Sequence, residues 1–398
     1  MNFEETAARY RKLLVEDVLP WWAKHAIDHE HGGLFSCIGD DGTVTSEDKY
    51  IWSQVRGLWT FSASCRRVHS TPEWRKIADG LFRFSMRFGR NDAGDWNFLV
   101  NREGALLRGP ESIQTDAYAI CALVEYALLT QSDEACEAAF ASFRRTREKI
   151  WKPGSFGIAP YPLPEGARAH RASMQLALAY HDLARATGDA EVLAEAMKLT
   201  DDCMDNFRRP DLEAVVEYLA LDNTLLPPSI GTFMSPGHGI ETAWFNMDGL
   251  RGRNEEARIG KALDAMRWSM EKGWDHEYGG IFLGIDLNGG TPFFPKSDAK
   301  IWWPFCEAIC GLLLAYELSS DSAFLDWHAK VEEWAFAHFP VPEHGEWRQR
   351  LDRRGERLND VVALPVKDPF HLPRAALYAF EIATRLAERG AAGRELGN

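Results

Sequence analysis

A closed ring of six inner and six outer helices, an all-α (α/α)6 barrel with short β-hairpins at one mouth, is the architecture this sequence predicts. Three observations predict it. DHEHGGLF at 28–35 returns as DHEYGGIF at 275–282, and GDWNFLVNREG at 94–104 returns as GEWRQRLDRRG at 345–355. Two weaker copies lie between, near 153–166 and 213–226. Counted from Gly33, Gly94, Gly157, about 217, Gly280 and Gly345, the period is roughly 60 to 65 residues, which calls for a repeat architecture before any other.

Within each copy the elements follow one order. A hairpin with Gly or Asp at its turn comes first, as in GDDG at 39–42 and DLNGG at 286–290. An aromatic helix start follows, KYIW at 49–52 or KIWW at 300–303, leading into helices apolar nearly all round, such as IWSQVRGLWTFSASC and CEAICGLLLAYEL. A second helix then carries one apolar stripe and a charged face, as in SDEACEAAFASFRRTREKI and EARIGKALDAMRWSMEKG. The first type suits an inner ring and the second an outer ring. No Pro/Gly/Ser linker separates the copies, so residues 1–398 are expected to form one barrel domain with a shared core.

Composition bounds the function. The 398 residues carry 45 Lys+Arg against 59 Asp+Glu, a formal charge of −14, which disfavours phosphate backbones and hence nucleic acid. No apolar run reaches a membrane span, and MNFEETAARYRKLLVEDVLPWW is charged and amphipathic where a signal peptide would be apolar. Seven scattered cysteines do not read as a disulfide framework, and Cys306 and Cys310 read as small buried thiols. A cytoplasmic protein without membrane association is expected, monomeric or homodimeric.

Chemistry is expected where the inner helices begin, because polar side chains there converge from different copies. They are Arg56, Asp116, Arg171 and Gln175, His238 and Glu241, Trp302, Trp303 and Glu307, and His371 with Arg374. Ionisable groups on apolar helices are costly unless paired. A lone buried histidine is commonly a satisfied core residue, but His238 and His371 each have a charged partner three residues on, Glu241 and Arg374. Glu241 is read as the group that orients the imidazole; Arg56 and Glu307 are read as either site residues or one structural ion pair. Trp302 and Trp303 are read as core or as a sugar-stacking platform. His25, His29, His31 and His276 lie near the DHE hairpins, where a solvated turn is the better reading than metal. HExxH, paired CxxC, GxxxxGK[ST], GxGxxG and GxSxG are all missing. No metal and no cofactor are expected.

The stretches WSQVR at 52–56, PGHGIETAWF at 236–245, KIWWPFCEA at 300–308 and PFHLPRA at 369–375 resemble the N-acylglucosamine 2-epimerase superfamily. That group includes renin-binding-protein-type epimerases, cellobiose and mannose 2-epimerases, and aldose–ketose isomerases. The resemblance implies an (α/α)6 barrel, metal-independent sugar chemistry and two catalytic histidines, falling on His238 and His371. It also implies pocket roles for Arg56, Glu241, Trp302, Glu307 and Arg374. Where cellobiose epimerases and mannose isomerases carry a further histidine, SMQLALAY here has Gln175, and the PGH…WF motif and the WWP helix are more similar to the N-acylglucosamine branch. Some members of that branch are activated by ATP; no nucleotide loop is visible here, so ATP is not carried over to this chain.

The expected reaction is inversion at C2 of an aldose such as N-acyl-D-glucosamine or N-acyl-D-mannosamine. One histidine removes the C2 proton, Arg56 and Arg374 stabilise the enediolate, and the other histidine returns a proton on the opposite face. Delivery to C1 instead would make an aldose–ketose isomerase acting on mannose-like sugars, the second reading. A cellobiose or mannose 2-epimerase is a further one. A glycoside hydrolase using Asp116 with Glu241 or Glu307, or a barrel that only binds, leaves the twin histidines unexplained.

Overall fold

The computed structural model describes residues 1–152, 154–359 and 364–395. Helix α1 (Phe3–Lys12) runs through a π-helical stretch, Leu13–Val18, into α2 (Leu19–His25). Then follow α3 (Ile51–Arg67), α4 (Pro72–Phe88), α5 (Ile113–Thr130), α6 (Asp133–Lys149), α7 (His170–Thr187) and α8 (Ala190–Asp201). The last five are α9 (Pro236–Leu250), α10 (Glu256–Gly273), α11 (Trp302–Ser319), α12 (Ala323–His338) and α13 (His371–Glu395).

The odd-numbered helices from α3 to α13 form the inner ring, each packed on the next, with α13 meeting α3 to close it. Their sequences are apolar all round because neighbours cover them on every side: in α5 every side chain from Ile113 to Tyr126 is buried. The outer ring comprises α4, α6, α8, α10 and α12, completed by α1, which packs on α13. These helices bury one stripe and start at polar caps: Thr71, Ser132 and Asp189 each accept backbone N–H groups of the first turn. The sequence-predicted (α/α)6 architecture is the observed one. Among the described residues no helix is long and apolar enough to cross a membrane.

The short strands lie between outer and inner helices; some close hairpins within a copy, and others stitch one copy to the next. Lys49–Tyr50, just before α3, pairs antiparallel with Leu99–Val100 of the following hairpin. Ala167–Ala169 pairs with Tyr218–Ala220, Phe233–Met234 with Ile285–Asp286, and Lys300–Ile301 with Arg350–Leu351. Ser112 bridges Ile158, and the N–H of Lys367 donates to the carbonyl of Ser36 at 2.9 Å, bringing the sixth copy back to the first.

The repeated DHE motif has a structural use. Asp28 is buried and receives Lys49 Nζ at 2.8 Å and Arg102 Nε at 3.0 Å. Asp275 receives Lys300 Nζ at 3.1 Å and Arg353 Nε at 2.8 Å in the other copy. Burial would raise both carboxyls, yet the hydrogen bonds from Arg, Lys and the turn backbone hold them far below their usual range. Each lysine is fully buried and also donates to a carbonyl of the glycine turn, Gly32 or Gly280. The turn needs glycine: Gly33 has φ of 74°, and a Cβ there would lie 2.7 Å from Gln54 Oε1. His29 and His276 of the same motifs point to solvent, while His25 and His31 are half-buried.

Candidate active site

The first turns of the inner helices and their hairpins enclose a cavity of about 860 Å³ counted with its opening. Arg56, Gln175, His238, Glu241, Trp302, Trp303 and His371 line it, seven of the eleven residues expected from sequence. Glu307 and Arg374 lie beneath that lining, in contact with it. Asp116 is a correction. It is buried but does not line the cavity; Gln114 and Tyr118, two residues to either side, do. Residues 114 and 118 share a helical face, whereas 116 falls on the far side. Burial pushes the Asp116 carboxyl up to about 7, and the nearest charges it feels are Lys149 and Asp95, of the outer helix α6 and the preceding hairpin.

His238 occupies the first turn of α9, where Pro236 starts the helix and Gly237 lets the Trp303 indole lie against it. A Cβ at 237 would sit 2.5 Å from that ring. Nδ1 of His238 lies 2.7 Å from Glu217 Oε2, and the opposite oxygen of Glu217 accepts Arg171 Nη1 at 3.1 Å. The backbone of Glu217 is fixed as well, its N–H donating to Phe233 and its carbonyl accepting from His170. Burial raises the Glu217 carboxyl, but His238 and Arg171 outweigh it and hold the group at about 2. An ionised Glu217 can only accept, so Nδ1 of His238 carries the proton and Nε2 is left as the accepting nitrogen.

This corrects the role expected of Glu241. Glu241 shares the helical face of His238, yet its Oε1 accepts Arg374 Nη2 at 3.2 Å, and the imidazole is oriented by Glu217. The reason is competition: a guanidinium below is a stronger partner for Glu241 than a ring already held. Glu217 went unnoticed in the sequence because it stands in a weak copy of the hairpin, where the glycine of the other copies is missing.

His371 opens α13 and is built the same way. Its Nδ1 lies 2.6 Å from Glu307 Oε1, which also accepts Arg374 Nη2 at 2.7 Å. Trp244 Nε1 donates to the other oxygen of Glu307 at 2.8 Å. Burial lowers the imidazole to about 4 against the pull of Glu307, so the ring is neutral at neutral pH. Glu307 is held low by Arg374 and His371 despite its burial. Glu241 is pushed up by burial and by the Glu307 charge, with Arg374 opposing.

Trp303 lies by both histidines, its ring centre 5.2 Å from that of His238 and 5.7 Å from that of His371. Among the described residues neither histidine uses Nε2 in a hydrogen bond, and both rings line the cavity. Arg56 is not paired with Glu307. Its guanidinium donates to Asp368 Oδ2 at 3.1 Å and to Tyr118 Oη at 2.6 Å, with its centre 4.0 Å from the Tyr118 ring and 4.7 Å from Phe370. Asp368, Tyr118 and Tyr161 are lining residues the sequence did not single out.

One oxygen or nitrogen from each of Glu241, Glu307 and His371 falls within 4.8 Å of the others, a donor set a divalent cation would accept. The Arg374 guanidinium, bonded to both carboxylates, already supplies the positive charge there. These residues therefore do not fit a metal site.

The family profile described as N-acylglucosamine 2-epimerase (GlcNAc 2-epimerase) matches residues 33–375. N-acylglucosamine 2-epimerase of Mus musculus is 29% identical over 405 residues, covering 97% of this chain and 94% of that protein. The structure of cellobiose 2-epimerase from Bacillus thermoamylovorans B4167 superposes with a TM-score of 0.84 at 21% identity, covering 95% of this chain and 99% of that one. A D-mannose isomerase structure gives 0.80 at 18% identity, covering 95% and 97%. The two superpositions establish the barrel fold.

Proposed function

Because the chain belongs to the N-acylglucosamine 2-epimerase family, a family of isomerase-class enzymes, we propose that it inverts C2 of an N-acylhexosamine by proton transfer between two histidines. One observation carries the reading: His238 and His371 line one cavity, each with Nδ1 tied to a buried glutamate at 2.7 and 2.6 Å. Two imidazoles fixed in this way present Nε2 to a substrate held between them.

The chemistry follows from the open-chain aldose, whose C2 proton is acidified by the C1 carbonyl. Neutral His371 takes that proton in one direction, and its charge is then balanced by Glu307. The electrons move to O1, giving an enolate whose C2 keeps the acylamino group (an enediolate where C2 carries a hydroxyl instead). Arg56 lines the cavity and can donate to that oxygen, preorganised by Asp368 and Tyr118. His238 returns a proton to the other face of C2; in the reverse direction the roles exchange. Arg374 acts one layer down, by compensating Glu307 and Glu241, and not as a donor to O1. Trp302 and Trp303 supply the apolar walls that a sugar face stacks on. A hydrolase mechanism finds no support, since Asp116 is remote and Glu307 is occupied by three donors.

Proton NMR in D2O tests the proposal, with N-acetylglucosamine, N-acetylmannosamine, mannose, glucose and cellobiose supplied separately. Deuterium at C2 of an inverted N-acyl aldose is the expected outcome. A 2-ketose labelled at C1 would make the enzyme an aldose–ketose isomerase. Absence of exchange with every sugar overturns the proton-transfer mechanism.

A further inference from the structure

Behind His238 the cavity continues into a narrow side pocket, about 300 Å³ only when the space shared with its opening is counted. Tyr161, His238, Leu283 and Trp303 line both spaces, so the two communicate at the histidine. At the inner end lies Arg171, only 1% exposed. Its Nη1 is committed to Glu217, while Nε and Nη2 make no well-aligned hydrogen bond among the described residues, with the Tyr218 hydroxyl beside the guanidinium. The Tyr161 ring covers the guanidinium at 4.6 Å. Buried charged donors left unpaired are costly, and a site that keeps them is suited to a ligand oxygen. Phe233, Phe294, Leu283 and Trp303 supply apolar walls, and Glu217, Tyr218 and Ser235 complete the lining.

We propose that this side pocket receives the acylamino substituent on C2 of the substrate, the acyl oxygen accepting from Arg171 and the acyl methyl packing against Phe233, Phe294 and Leu283. The inference rests on the epimerase reading above and adds the position and chemistry of the group that distinguishes an N-acyl sugar from a free one. A neutral carbonyl suits the pocket better than an anion. Arg171 is already neutralised by Glu217, so a carboxylate or phosphate would leave a net buried negative charge. A C2 hydroxyl is too short to span from the main cavity to the guanidinium and to fill the apolar end. Because His238 stands at the junction, a substituent seated there holds C2 beside its Nε2.

Titration calorimetry with N-acetylmannosamine and mannose, alongside the C2 exchange assay, tests this. The wild-type protein is expected to bind the acetylated sugar at least tenfold tighter. Phe294→Trp, which fills the apolar end, is expected to cut that preference at least tenfold. Phe294→Ala is expected to extend binding to N-butanoylmannosamine. Arg171→Lys keeps a cation opposite Glu217 but takes away the Nε and Nη2 positions of the planar fork, and is expected to lower the preference too. Equal affinity for both sugars, or a preference unmoved by any of the three substitutions in proteins with an intact melting transition, overturns the subsite. The two readings fail separately. C2 exchange of mannose without acyl preference keeps the epimerase chemistry and rejects the subsite. An acyl preference that responds to residue 294 without exchange keeps the subsite and rejects the chemistry.

Discussion

Glu217 meets Nδ1 of His238 at 2.7 Å, across 21 residues of chain, and so determines which nitrogen of that imidazole faces the cavity. Glu217→Gln keeps the shape of the side chain but removes the charge that balances an imidazolium. The expected effect is a fall in kcat of about 10- to 100-fold with KM little changed, together with a shift of the pH profile. Steady-state kinetics across pH checks it. A matched loss in KM alone would mean that Glu217 only shapes the pocket.

The two histidines are expected to be separable. His371→Asn or His238→Asn should each reduce net epimerisation by on the order of 10²–10⁴-fold. The surviving histidine can still remove a proton from the epimer that presents its C2–H to it. Each variant should therefore wash deuterium into one epimer without inverting it, and the two variants should choose opposite epimers. NMR of each pure epimer in D2O reads this out; wild-type inversion rates in either variant end the two-histidine mechanism.

Acid sensitivity follows from the buried imidazoles. Burial lowers His371, His181 and His328 to about 4 and His170 to about 3, from the ordinary 6.5. Each is neutral in the fold and takes a proton more readily when unfolded. Their contribution to stability is therefore complete above pH 6.5 and is lost as pH falls through 6.5 toward 4. Thermal melts between pH 7.5 and 4.5 should show Tm dropping over this window. His328 lies in α12, outside the site, and His328→Leu should make the slope shallower while leaving the C2 exchange rate at neutral pH as it was.

The hairpin hubs bear on stability and not on turnover. Asp28→Ala or Asp275→Ala leaves Lys49 or Lys300 fully buried without its carboxylate. Loss of one partner of a buried pair costs about 3–5 kcal/mol, to be seen in urea unfolding, with kcat per folded molecule retained.

Gly237→Ala tests the contact between α9 and Trp303. The added Cβ falls 2.5 Å from the indole, so the ring must shift away from His238. A KM increase of several-fold is the expected outcome in the exchange assay, with a small fall in Tm.

Periodicity made the barrel legible, since a copy of an apolar and a charged helix recurring six times has few other ways to bury its faces. It also located the mouth, and Arg56, His238 and His371 were each found because a charged group on an apolar helix begs for a partner. What periodicity does not carry is which partner. Glu217 and Asp368 reach the site from segments outside the helical faces, and their hydrogen bonds span chain separations that no local pattern encodes. Asp116 shows the converse: it sat at the right distance from the hairpin, but the residues one turn apart on either side of it own the inward face.

The pairing of every hairpin with the next copy, carried round from Ser36 to Lys367, means that the molecule has no terminal repeat. An open repeat array frays from its ends, because an end unit is held by a single neighbour. Here each copy is clasped from both sides, so detaching any one breaks two interfaces at once. Loss of structure in such a ring is concerted, and the histidines drawn from its fourth and sixth copies keep or lose their alignment together.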